Sequence, residues 1–173
     1  MASMHGYHQL LDLSYNWNKT DLRSTVNPKD LVAAKNTILG KLQQHGSFEY
    51  FIYLLKNAGM DKRLGACNAR CTIFAVPDEY LRKQFDEDFF INIDHYDALK
   101  TIRNHTLDNV VTLRDIKTEE GSSLTNLNNH HSLFTQIHHN GLITVQDAEV
   151  IDETPTVNGN IIVINKLLIP HEQ

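Results

Sequence analysis

Residues 72–79 read Thr-Ile-Phe-Ala-Val-Pro-Asp-Glu, and residues 158–170 read Asn-Gly-Asn-Ile-Ile-Val-Ile-Asn-Lys-Leu-Leu-Ile-Pro. The first stretch is short, apolar and β-branched before Pro77-Asp78, the pattern of a buried strand that runs straight into a helix. The second opens on an Asn-Gly turn and continues as a nearly unbroken apolar run, which predicts a central strand covered on both faces. What lies between decides how these two strands are arranged.

Upstream of Thr72 the period is helical. Asn27-Pro28-Lys29-Asp30 reads as a helix start, and Leu31, Ala34, Ile38 and Leu42 continue the spacing to Gly46. Ser47 is placed to cap a second helix, in which Phe48, Phe51, Ile52 and Leu55 sit at i, i+3, i+4 and i+7 until Gly59. A basic loop over 61–70 leads to the first strand. Asp94 and Asp97 open a further helix expected to carry Tyr96, Leu99 and Ile102 inward and to end near His105. From Ser123 onward the signals are strand signals. The clearest is a hairpin of residues 132–139 and 142–148 joined by Asn140-Gly141, a pair suited to the positive φ of a type I′ turn. Helices early and strands late, without strand-helix-strand alternation, predict an α+β domain.

The chain has 173 residues, of which 41% are hydrophobic and 21% charged, with 16 Lys+Arg against 21 Asp+Glu for a net charge of -5. That is the composition of a globular domain able to bury a full core. Residues 1–26 are read as an N-terminal extension and 27–173 as one domain. The negative balance argues against affinity for nucleic acid, and no apolar run approaches the ~20 residues of a membrane span, so no direct membrane insertion is expected. Cys67 and Cys71 suit a local disulfide or two free thiols, and sequons occur at Asn18 and Asn104.

Catalytic patterns are missing: there is no nucleophile elbow, no zinc-protease motif and no glycine-rich phosphate cradle. The ten histidines include His130-His131 and His138-His139, which offer a metal- or small-ligand-binding alternative. Residues so spaced on a strand lie roughly 20–26 Å apart, whereas ligands of one ion lie within about 4 Å of each other. No metal or other cofactor is therefore expected. The acidic runs Asp86-Glu87-Asp88 and Asp147 to Glu153 lack the periodicity of a calcium loop and read as solvated faces.

The order of the segments resembles the fasciclin (FAS1) family. Thr72, Phe74, Ala75 and Pro77 match its first signature; Asn158, Gly159, Val163, Ile164 and Pro170 match its second. Ile102-Arg103-Asn104-His105 stands where the family has Leu-x-Tyr-His, and Phe48 to Met60 resembles the helix ahead of its Ala-Gly-Leu turn. The similarity covers about Asn36 to Pro170. It implies a wedge of two small β-sheets with helices packed against them, and a non-enzymatic adhesion or interaction module. The partner implied is a protein or glycan on a cell or particle surface, and the location extracellular or surface-associated, a virion surface if the source is viral. Carried over residue by residue, the expected contacts are Asn104 and His105, with Asn104 replacing the family's tyrosine, and Asp152, Glu153 and Thr154, where Glu153-Thr154 replaces an Asp-Ile pair. Ile162 and Asn165 replace a histidine and an aspartate of the second signature.

Overall fold

In the computed structural model, residues 35–66, 70–118, 123–125, 128 and 131–168 are described. The helix start at Asn27–Asp30, the boundary at residue 26, Asn18, Cys67, His130 and Pro170 lie outside them.

The helices are α1 (Ile38–His45), α2 (Glu49–Asn57), α3 (Asp61–Leu64), α4 (Asp78–Gln84), α5 (Glu87–Asn92), α6 (His95–Asn104) and α7 (Leu113–Thr118). The strands are β1 (Cys71–Ala75), β2 (Thr106–Leu107), β3 (Ser123–Thr125), β4 (Ser132–Ile137), β5 (Ile143–Val145), β6 (Ala148–Thr156) and β7 (Gly159–Ile164). They join in the order β2-β1-β7-β6-β5-β4-β3. The expected pair of small sheets is thus one continuous order of strands. β6 links its two parts: Glu149 and Ala148 pair with β5, and the run from Val150 to Thr156 pairs with β7, with a register shift between Val150 and Asp152. Such a bulge bends a strand and lets it serve two differently oriented neighbours.

β7 is central, as its apolar run predicts. All six of its residues are buried, between β6 on one side and the parallel β1 on the other. The strand begins where Asn158, fully buried, uses both ends of its amide. Its Oδ1 accepts from Ile38 N at 2.9 Å and from Thr156 Oγ1 at 3.0 Å, and its Nδ2 donates to the Leu64 and Ala66 carbonyls at 2.9 Å each. Gly159 follows with φ +152°, and a Cβ there would stand 1.9 Å from the Cys71 carbonyl oxygen. Only glycine lets the two backbones approach so closely.

Several local expectations are overturned by contacts from distant residues. The first helix does not run unbroken to Gly46. Thr37 caps a new start by accepting from Gly40 N, and Asn158 takes the Ile38 N–H. Ser47 does not cap α2. That role falls to Asp78 of the first signature, whose carboxylate accepts from Glu49 N at 3.2 Å and Tyr50 N at 2.9 Å, while its own N–H donates to the Ser47 carbonyl. Burial pushes the Asp78 carboxyl above the usual range, against the pull of those two donors. The basic loop contains α3. Asp94 does cap α6, accepting from Asp97 N at 2.8 Å, and Ile102 is buried with Leu99 packed against the core as expected, but Tyr96 is 70% exposed and Ala98 is buried in its place.

The hairpin forms where expected, with β4 and β5 antiparallel on either side of Asn140-Gly141 and Ile137 opposite Ile143, but its turn and its second strand differ. Asn140-Gly141 lies in a longer loop in which Gly141 N donates to the His138 carbonyl and only Gly141 has positive φ, 88°, so the turn is not type I′. The tight reversal occurs at Gln146-Asp147, splitting the expected strand 142–148 into β5 and β6. Gln146 adopts φ 55°, a conformation costing roughly 1 kcal/mol outside glycine. Its backbone and side chain offset this by bonding both the Phe134 carbonyl and the Phe134 N–H.

Replacing Gly159 by Ala drives a methyl group into backbone, and replacing Asn158 by Ala leaves buried groups unsatisfied at four contacts. Each is expected to lower unfolding free energy by about 3–5 kcal/mol, read from the urea midpoint against a surface control such as Thr118→Ala.

Candidate partner-binding cleft

The β6–β7 pairing sets which side chains meet solvent. Because side chains alternate along a strand, Asp152 and Thr154 share the face of their partners Val163 and Ile161, and Glu153 lies on the other face with Ile162. The first face looks toward the corner between α1 and α2, and a cleft of about 490 Å³ opens there. Its floor is apolar, built from Leu42, Phe48, Ile161 and Val163, all buried. Its lip is polar, with Lys41, His45 and Glu79 facing Asp152 and Thr154. At the register shift Ile151 turns outward, 45% exposed, and joins the lip beside Asp152. Sequence reasoning passes over Ile151; its only signal is an apolar residue within an acidic, strand-forming run.

Asp152 is exposed, and its Oδ1 accepts from Glu153 N at 2.8 Å. Glu153 is engaged within the fold. One carboxylate oxygen accepts from Leu113 N and from Asn160 Nδ2, both at 2.8 Å, so it anchors the start of α7 to β7. Asn160 Nδ2 also donates to the Val111 carbonyl. Of the three residues expected here as contacts, Asp152 and Thr154 reach the cleft and Glu153 supports it from behind.

Asn104 and His105 do not line it. They close α6 inside the core. Asn104 Oδ1 accepts from Asn128 Nδ2 at 2.6 Å, and with the side chain 3% exposed the sequon at Asn104 is inaccessible in the folded domain. His105 is fully buried, edge-on to Phe51 with ring centroids 5.8 Å apart. Its Nδ1–H donates to the Thr101 carbonyl at 2.8 Å, and its Nε2 accepts from Leu168 N at 3.0 Å. Those partners fix a neutral ring, and burial lowers its pKa to about 4, against the weaker pull of the Thr101 carbonyl.

The signature residues are structural in the same sense. Thr72 Oγ1 donates to the Asn109 carbonyl and accepts from Val111 N, both at 2.7 Å. Cys71 is a free, buried thiol whose pKa burial pushes up to about 11, far from nucleophilic. His131 and His138 stand beyond opposite ends of β4, roughly 20 Å apart for a strand of that length. His138 Nε2 lies 3.2 Å from Thr144 Oγ1, and His139 is exposed in the turn. Among the described residues no group of three metal-ligating side chains forms.

A helical layer thus packs on a central β1–β7 pair, and an amphipathic cleft opens beside β6. A profile of the fasciclin domain matches residues 46–170, and the chain belongs to that family, known for cell adhesion modules. Among the solved structures with a matching fold is a FAS1 domain pair from the insect cell adhesion molecule fasciclin I. It aligns with a TM-score of 0.63 at 20% identity, over 78% of this chain and 51% of the pair. This chain therefore spans about half of that structure. None of the curated proteins compared with it matches.

The buried imidazole makes stability depend on pH. The pKa of His105 is near 6.5 in the unfolded chain and about 4 in the folded one, so the unfolded state binds the extra proton between those values. Its stabilising contribution is complete above pH 6.5 and falls as the pH drops through 4, by about 3 kcal/mol in all. His105→Gln, which keeps an acceptor for Leu168 N, is expected to be less stable at pH 7 and to show a flatter stability profile between pH 6.5 and 4 in urea titrations.

Proposed function

We propose that this protein is a non-enzymatic interaction module that holds a protein or glycan partner at a cell or particle surface, and that the cleft beside β6 is its contact face. The reading places the protein outside the cell or on a surface. The observation that carries it is the lip of the cleft, where an outward aliphatic, Ile151, stands beside an exposed acid, Asp152, above an apolar floor. Apolar area with a few fixed polar groups is the composition that recognition sites favour. Lys41 and Asp152 give the lip both signs of charge, which suits a partner with paired polar groups.

Adhesion of candidate cells to immobilised protein tests this. Asp152→Lys and Ile151→Ser, each checked for unchanged thermal stability, are expected to raise the coating density for half-maximal adhesion by about tenfold or more. Wild-type levels of adhesion in both variants would overturn the placement. Loss of adhesion on adding a chelator would identify a receptor that itself needs a divalent ion.

A further inference from the structure

A second concavity, of about 610 Å³, lies against α5 and α6. Its floor is apolar: Phe85, Phe89, Ile93, Leu167 and Leu168, with the rings of Phe85 and Phe89 stacked 4.2 Å apart. Its lining contains no Lys, Arg or His, and its charged members are Asp88 and Asp97. The charge extends around it. Between Lys83 and Lys100 the sequence carries Asp86, Glu87, Asp88, Asp94 and Asp97 and no Lys or Arg, and all five acids are exposed. Glu87 accepts from the Tyr50 hydroxyl and Asp94 caps α6, both neutral donors, and none of the five forms an ion pair with a described residue. The strip is thus a concentrated negative field around an apolar trough.

We infer that this groove binds a basic amphipathic segment of a protein partner, with aliphatic side chains on the Phe85–Phe89–Ile93 floor and Lys or Arg against Asp88 and Asp97. Two features select that occupant. An apolar floor rewards burial of aliphatic side chains, and an acidic rim without an ion-paired cation repels anionic segments and attracts cationic ones. The rim also disfavours a second copy of this chain, which would bring a like-charged strip to the same place. The floor is held firm from behind, since Thr101 and Leu168 are the two residues that His105 bonds. The inference is independent of the cleft beside β6.

The probe is a fluorescein-labelled peptide about 14 residues long, roughly four helical turns, with leucines at i, i+3, i+4 and i+7 and lysines elsewhere. A Lys→Glu version and a scrambled Lys/Leu version serve as comparisons, all titrated with the full chain by fluorescence anisotropy at low and physiological salt. The amphipathic lysine peptide is expected to bind at least about tenfold more tightly than either comparison. Binding should weaken about tenfold in Asp88→Lys/Asp97→Lys, which should in turn prefer the glutamate peptide. Asp88→Asn/Asp97→Asn repeats the test with a smaller perturbation of the helix ends. Asp108→Lys/Asp147→Lys, the same double charge reversal on exposed acids outside both concavities, should leave peptide binding unchanged. Equal binding of the scrambled peptide, no response to the rim variants, or a dimer that those variants dissolve would each overturn the inference.

Discussion

The amide of Asn158 is the constraint on which the arrangement of the chain depends. In one buried group it takes the first N–H of α1, the Thr156 hydroxyl and two carbonyls at the end of α3, so three separate parts of the chain converge on the start of β7. A buried amide is tolerated only when its donors and acceptors are used, and here both donors and both lone pairs have partners. Its position also fixes the neighbour: Gly159 must pass under the Cys71 carbonyl, which pins the register of β1 against β7. The cleft and the acidic groove both hang on helices placed by that pairing.

The parts of the fold legible in the sequence are those whose signals are local. The strand entering a helix at Thr72–Glu79, the buried run Ile161–Ile164, the cap at Asp94 and the stop at Gly59 each rest on residues within one or two turns of each other. The features that escaped such reading are tertiary. Nothing near Glu49 announces that Asp78 will cap its helix from 29 residues away. Ser47 is the local candidate cap, but the N–H groups its hydroxyl would accept from are taken by the Asp78 carboxylate. Asn140-Gly141 does turn β4 into β5, but the second, tighter reversal at Gln146 has no local signal, and its strain is offset by two bonds to Phe134.

The site shows the same division. Alternation along β6 is enough to place Asp152 and Thr154 on one face, whereas the outward turn of Ile151 requires the register shift, which no residue type advertises. His105 sits in a family position and is fully buried, because its two ring nitrogens satisfy a helix carbonyl and the Leu168 N–H. Glu153 likewise spends its carboxylate on Leu113 and Asn160. The polar residues conspicuous in the sequence are therefore partly joints of the scaffold, and the surfaces open to a partner are assembled from residues that look ordinary in isolation.

The parallel pairing of β1 with β7 carries a kinetic consequence. Cys71 and Gly159 are 88 residues apart, and no hydrogen bond of the central pair can form until that whole span has been drawn into a loop. Closing so long a loop has an entropic cost that precedes any reward from contact, and domains dominated by such pairings fold slowly for that reason. During synthesis β1 emerges before β7 exists, leaving a strand whose five residues are all buried in the finished domain with one flank open until residue 164 has left the ribosome. The short antiparallel β2 covers only the opposite edge, so protection of the waiting one falls to the helices, which can pack locally while the closing strand is still being made.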